Sequence, residues 1–242
     1  MAFHMTELNY FNNKIQLKTT INQNISIIIA AYNEEEGIVP TIHEFKEELK
    51  EAQIIVIDGN SSDKTIEISH RLGAKVLIQD GKGKGNAIAK GLANVKKDTC
   101  YVILTDADYT YPAKQIKKMI NILNSNSDIG MVLGNRFSKI YEKISDRNKF
   151  YIGNKILTFI HNFFNKLSLS DPFTGLRVIR YNLLKGWTPK SQGFDIETEI
   201  NQHIGESNYK IVEVPIVYRK RIGKKKLSSK HGLTILRRII IG

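Results

Sequence analysis

Asp106 and Asp108, separated by one alanine, close the apolar run Cys100-Tyr101-Val102-Ile103-Leu104-Thr105. Two carboxylates at the end of a buried strand can face one cleft if the chain turns there, and they offer hard oxygen ligands to Mg²⁺ or Mn²⁺. Such a cation bridges the oxygens of a diphosphate and neutralises charge growing on a leaving group. Asp-x-Asp alone serves equally well as a turn or a helix cap, so its meaning depends on its neighbours. Three other polar segments accompany it: Ala30-Ala31-Tyr32-Asn33-Glu34, Asp58-Gly59-Asn60-Ser61-Ser62-Asp63 and Gly81-Lys82-Gly83-Lys84-Gly85-Asn86. Locally, Asp58 reads as a turn residue before Gly59, and Asp63 as a carboxylate favouring the N-terminus of the helix that follows. The glycine-rich loop lets backbone and the Lys84 ammonium approach anionic oxygens, although it has neither Walker nor dinucleotide spacing.

These segments need elements to hold them. Short β-branched runs alternating with longer helical patterns predict βαβ units and a parallel sheet buried on both faces. Strands are expected at 24–31, 53–57, 75–78, 100–105 and 129–134, with helices at 34–50, 62–72 and 86–95. In helix 34–50 the apolar positions Ile38, Ile42, Phe45 and Leu49 follow one stripe. Ligands of open α/β sheets gather at the carboxyl ends of strands, so the segments after the first, second and fourth strands should share one rim. Further along, an aromatic-rich helix is expected at 148–165 and a strand or extended loop at 171–180. A helix at 194–204 should precede a last strand at 210–218, where Pro215 marks an edge or bulge.

The composition fits one large core, with 41% hydrophobic and 25% charged residues over 242 positions. Residues 24–218 are read as one domain, 1–23 as an N-terminal extension and 219–242 as a basic C-terminal segment. The single Cys100 excludes an intramolecular disulfide framework and a CxxC-type zinc site. No leader pattern stands at the N-terminus and no run reaches the roughly 18 apolar residues of a membrane span. The expected location is cytoplasmic, peripheral at the inner face of the membrane. The net charge of +12 favours phosphate-bearing partners. It is concentrated after Tyr218, where Arg219, Lys220, Arg221, Lys224, Lys225, Lys226, Lys230, Arg237 and Arg238 occur without an acid. Such a run is a solvated tail, a membrane-surface anchor or a diphosphate clamp. A nucleic-acid-binding module is disfavoured, because clustered acids and a βαβ core would have no role in it.

As an ordered series, the four polar segments resemble the inverting family 2 glycosyltransferases of the GT-A fold. Gly134-Asn135-Arg136-Phe137, Asp171-Pro172-Phe173-Thr174-Gly175 and Arg221-Ile222-Gly223-Lys224-Lys225-Lys226-Leu227 look more specifically like the dolichyl-phosphate sugar synthase branch. The resemblance covers residues 25–227. It implies a Rossmann-like GT-A fold and a nucleotide-sugar site built from Ala31, Tyr32, Glu34, Asp58, Asp63, Lys84, Asp106, Ala107, Arg221 and Lys226. Tyr32 and Glu34 would sit at the nucleoside and Asp58 at the base edge, while Asp106 and Asp108 would hold Mg²⁺ or Mn²⁺. Arg221 and Lys226 would close over the diphosphate. Arg136 and Arg147 would take the acceptor phosphate, for which the planar guanidinium is suited. Relatives commonly carry Gln two residues after the triplet; here that position is Thr110, a weaker ligand.

The implied reaction is a single in-line displacement. A hexose or N-acetylhexosamine passes from a nucleoside-diphosphate sugar to a polyprenyl or dolichyl phosphate with inversion, serving protein glycosylation or cell-envelope glycan synthesis. Asp108, Arg136 and Asp171 are the candidate catalytic residues. An acceptor phosphate is already anionic near neutral pH and requires no strong base. If a sugar hydroxyl were the acceptor instead, Asp171, Asp195 or Glu197 would have to supply one; Asp195 and Glu197 read more readily as capping or exposed helix carboxylates.

Overall fold

The computed structural model describes residues 24–137, 149–226 and 229–241. Seven strands form one sheet: β1 Ile25–Ala31, β2 Gln53–Asp58, β3 Lys75–Ile78, β4 Tyr101–Asp106, β5 Ile129–Asn135, β6 Arg177–Arg180 and β7 Lys210–Pro215, in the order β3-β2-β1-β4-β6-β5-β7. The pairs β1–β2, β2–β3, β1–β4 and β5–β7 are parallel, and β6 runs antiparallel to both its neighbours. The sheet is therefore mostly parallel, as expected for a chain whose first half alternates strand and helix. Pro215 ends β7, the edge strand beside β5, where a missing N–H leaves no ladder partner wanting.

Helices cover both faces: α1 Ile38–Glu48, α2 Thr65–Arg71, α3 Lys84–Leu92, α4 Ile116–Ser125, α5 Lys149–Asn165, α6 Ile196–Glu206 and α7 Ser229–Ile241. Strand periodicity sorts the core into two layers. Ile27 and Ile29 of β1 pack with Ile38, Ile42 and Phe45 of α1 and with Ile116, Met119, Ile120 and Leu123 of α4. Ile28 of β1 faces the other side, with Ile88 of α3 and with Ile196, Ile200 and Ile204 of α6. Phe45 is wholly buried, and truncating a side chain of that size in such a core costs about 3–5 kcal/mol.

Two expectations change. Helix α4 was not anticipated, although its apolar positions recur at helical spacing. The strand or extended loop expected at 171–180 is present as a loop followed by the short strand β6. The C-terminal basic segment is not a tail: from Ser229 it forms α7, which packs against α5 and α6 and buries Ile235 and Ile239. The expected N-terminal extension, residues 1–23, lies outside the described residues.

Candidate active site

The register of the parallel strands builds the rim. Ala31 pairs with Asp58 across β1–β2, and Ala30 pairs with Asp106 across β1–β4. The segments after these three strands are thereby placed side by side at the carboxyl edge of the sheet. Each turns at a left-handed residue, Asn33 (φ 49°), Asn60 (φ 64°) and Tyr109 (φ 62°). For a bulky residue such as Tyr109 this backbone is rare and held only by its surroundings. Here the Tyr109 amide donates to Thr41 Oγ1 at 3.1 Å and its ring stacks under the Arg219 guanidinium.

At the centre, Asp108 is nearly buried, with Oδ1 accepting from the Thr110 hydroxyl at 2.6 Å and Oδ2 from Arg221 at 2.5 Å. Burial, then proximity to Asp106, pushes the Asp108 carboxyl above its ordinary pKa, against the opposing pull of Thr110 and Arg221. Asp106 Oδ1 accepts from Lys84 Nζ at 2.6 Å, and the same ammonium lies 2.6 Å from Glu197 Oε1 on α6. Burial works against the Lys84 charge, yet Asp106 and Glu197 outweigh it and raise the lysine's pKa. Gly175 lies so close that a Cβ there would stand 2.7 Å from Asp106 Oδ2. Its amide donates to the Tyr111 hydroxyl at 2.7 Å, which joins the 171–175 loop to the acidic triplet. Ala107 is buried, and its carbonyl leaves no room for a Cβ at Gly37.

The side of the rim formed after β1 and β2 is polar and partly open. Tyr32 is half exposed, beside Gly59. Asp58 is fully buried, with its two oxygens accepting from the Ser61 amide at 2.7 Å and hydroxyl at 2.6 Å. Asp63 caps in two directions, taking the Glu35 amide on Oδ2 and the Thr65 amide and hydroxyl on Oδ1. Although burial opposes it, these donors, with Thr65 foremost, lower the Asp63 pKa. Glu34 is buried, and burial raises its pKa against the opposing effects of Lys226 and Arg221, both of which it contacts. Arg221 and Lys226 therefore already reach the rim, anchored by Ile222 N to Asp108 O at 3.2 Å and Arg219 N to Thr110 O at 3.0 Å. Arg219 forms a forked pair with Glu44 of α1 at 2.6 and 2.7 Å.

On the other side of the triplet, Arg136 and Asp171 are locked together. Arg136 donates through Nε at 2.8 Å, through its second terminal nitrogen at 2.7 Å and through its amide at 2.9 Å. Asp171 is fully buried. Arg136 also lies 5.1 Å from the Phe137 ring centroid and 5.4 Å from that of Tyr218. Arg147 lies outside the described residues.

Several expectations are corrected. Gly83 and Gly85 are required for packing: a Cβ at Gly85 would stand 1.9 Å from Ser191 O, and one at Gly83 2.3 Å from Gln192 O. Asp195 and Glu197 are buried rather than exposed. Arg238, grouped above with a lipid-facing tail, turns inward to Asp195 at 3.3 Å and Glu199 at 3.9 Å. Arg177 was missed altogether. It is wholly buried, and it donates to the carbonyls of Thr174 at 3.0 Å and Pro172 at 2.7 Å and to Asn201 Oδ1 at 2.7 Å, bracing the 171–175 loop. Its place in the run Arg177-Val178-Ile179-Arg180, a charge inside an apolar strand, was the available signal.

Among the described residues no cluster of three or more metal-ligating side chains exists, and the triplet offers two carboxylates. That donor set fits a hard cation completed by water and substrate phosphate oxygens, the usual manner of Mg²⁺.

A doubly covered α/β sheet thus carries paired acids and clustered cations at its carboxyl rim. Residues 26–187 match the family model "Glycosyl transferase family 2", and the chain belongs to that family. It is similar to the low-salt glycan biosynthesis hexosyltransferase Agl6 of Haloferax volcanii, with 32% identity over 85% of this chain and 50% of the relative. It is also similar to the dolichyl-phosphate hexose transferase of the same organism, with 31% identity over 86% of this chain and 88% of the relative. The chain thus spans half the length of the first and most of the second. Its fold matches the glucosyl-3-phosphoglycerate synthase of Mycobacterium tuberculosis, crystallised with Mn²⁺, UDP-glucose and phosphoglyceric acid, at a TM-score of 0.68. Identity there is 18%, with 90% of this chain and 79% of that one covered, which establishes the GT-A fold.

Proposed function

We propose that this chain transfers a hexose or N-acetylhexosamine from a nucleoside-diphosphate sugar to a polyprenyl phosphate, with inversion. The observation that carries the acceptor is the Arg136–Asp171 pair. Both Asp171 oxygens accept from Arg136, so the carboxylate is engaged in orienting a guanidinium rather than standing free as a base. An oriented guanidinium suits an anionic acceptor; a hydroxyl acceptor would require Asp171 to leave the fork. The solved neighbour binds Mn²⁺ and UDP-glucose, and a relative is named for dolichyl phosphate. Both support this reading.

In this scheme Tyr32, Asp58 and Asp63 shape the nucleoside end. Asp106 and Asp108 hold Mg²⁺ or Mn²⁺, which when bound stabilises the departing diphosphate. Arg221 and Lys226 exchange their contacts with Asp108 and Glu34 for diphosphate oxygens. Lys84 supports Asp106, and Arg136, with Arg147, takes the acceptor phosphate. The lipid partner is supported by an apolar stripe on α5: Ile152, Ile156, Phe159 and Phe163 recur every three or four residues and are all exposed. Leu233, Ile240 and Ile241 of α7 are also exposed. None of the described helices is long and apolar enough to cross a membrane, so the contact proposed is peripheral.

The test is incubation with a panel of nucleotide-sugars, polyprenyl phosphate and Mn²⁺ or Mg²⁺, with the lipid product weighed by mass spectrometry. A glycosyl-phosphoryl lipid is expected with at least one donor. Transfer only to a soluble hydroxyl acceptor, lost in Asp171→Asn with donor binding intact, would replace this reading by its alternative.

A further inference from the structure

Lys84 poses an electrostatic problem for the triplet beside it. Its ammonium lies 2.6 Å from Asp106 Oδ1, and the lysine side chain is only 12% exposed, so solvent screens it little. A lysine paired with Asp106 alone would cancel that carboxylate's charge and set a positive charge against any cation held there. Glu197 removes the problem. Its Oε1 lies 2.6 Å from the same ammonium, on a side chain 7% exposed, so one cation is shared between two carboxylates and the group keeps a net negative charge. Arg177, also buried on that side, spends its donors on carbonyls and Asn201; it makes no direct ion pair with the Glu197 carboxylate and acts on it only at longer range.

Shape alone does not account for Glu197. Among the described residues its second oxygen, Oε2, is buried and has no hydrogen-bond partner, and neither has Thr105 Oγ1 nearby. Both residues line a small cavity of about 10 Å³ together with Lys84, Gly175 and Arg177. A buried carboxylate with a vacant oxygen is a costly way to fill space, whereas a neutral amide of the same shape would fill it more cheaply.

We infer that Glu197 is the counter-charge for Lys84 that leaves Asp106 free to bind a divalent cation. It acts through the lysine, without touching the metal or the sugar. The inference rests on the reading of Asp106 and Asp108 as the cation site.

Mn²⁺ alone is the probe, titrated against the full chain with free Mn²⁺ read by electron paramagnetic resonance. Glu197→Gln keeps the shape and removes the charge; Mn²⁺ binding should weaken by roughly tenfold or more, as for other supporting partners of metal ligands. Lys84→Gln, made alone, should bind Mn²⁺ more tightly than the wild type. The double variant Lys84→Gln/Glu197→Gln should return close to wild-type affinity, because both charges are gone. Glu197→Gln binding Mn²⁺ as well as the wild type would overturn the inference and leave the cation site standing. A double variant as weak as Glu197→Gln would show that the loss does not come through the Lys84 charge, and would overturn it too. If Glu197→Gln does not fold, a Lys84→Gln chain that binds Mn²⁺ no more tightly than the wild type has the same force. A wild-type chain that binds no Mn²⁺ at millimolar concentration would instead remove the cation site itself, and the inference with it.

Discussion

The two sides of the acidic triplet are held by different means. On the proposed donor side, Ala31, Asp58 and Asp106 are positioned by the hydrogen-bond register of three adjacent parallel strands, and their loops turn within two or three residues of the strand ends. On the proposed acceptor side, Arg136 follows β5 while Asp171 arrives from a loop, and the two meet through a buried fork. That loop is in turn braced by Arg177 and Asn201, which contact the carbonyls of Pro172 and Thr174. A ladder distributes its constraint over many backbone bonds, whereas a buried polar network depends on every member being satisfied. Donor-side substitutions should therefore change chemistry and spare the fold, while acceptor-side substitutions should disturb both.

The largest effect expected is at Asp108. Asp108→Asn preserves the shape and removes a ligand charge, so turnover should fall by on the order of 10³-fold, with the melting temperature nearly unchanged. A variant that unfolds instead would break the contrast, since the carboxylate would then be a structural requirement. Next comes Arg136→Lys, which keeps the charge and loses the planar fork to Asp171. Initial-rate kinetics should show a loss of roughly 10–100-fold in kcat/KM for the lipid acceptor, together with a lower melting temperature. Donor binding, followed by calorimetry, should stay as in the wild type. Phe159→Glu/Phe163→Glu on α5 should have a smaller effect, about tenfold weaker partitioning to anionic vesicles with activity on a short-chain, water-soluble acceptor retained. Equal loss on both acceptors would place those rings in the site rather than on a lipid surface.

The same contrast explains how much the sequence disclosed. The donor side was legible because strand periodicity alone predicts the sheet, and a parallel sheet predicts where its loops collect. Asp58, Asp106 and Asp108 could be placed on one rim before any coordinates. The bonds that the acceptor side depends on join residues far apart in sequence, such as Arg136 with Asp171 and Lys84 with Glu197, and no local pattern announces them. Glu197 looked like an ordinary helix carboxylate because its partner is 113 positions away, 197 less 84. Helix α7 was concealed by its charge: Arg238 reads as a surface cation until Asp195 is seen beneath it. Thr110, which departs from the family's common Gln, holds Asp108 through its hydroxyl, so its use became visible only in three dimensions.

The effect expected of acid is the most selective, because it concerns stability and only the acceptor side. His161 of α5 is fully buried, and its Nε2 accepts from Asn201, which also donates to Pro172 O at 2.9 Å. Burial pushes the His161 pKa down to about 4; Asn162 raises it slightly and the Arg177 charge lowers it further. The native state therefore keeps the imidazole neutral while the unfolded chain protonates near pH 6.5. The stabilisation is complete above about pH 6.5 and is lost as pH falls from there through about 4, by up to roughly 3 kcal/mol. Protonation would also place a second donor against the Asn201 amide and set the loop bracing against itself. His161→Gln should flatten this part of the stability–pH curve measured by denaturant titration. In the wild type, hydrogen exchange at pH 5 should quicken across 171–175 sooner than along β1 and β4. Uniform quickening of both regions would mean that the ladder and the network fail together, and that the division drawn between them does not hold under acid.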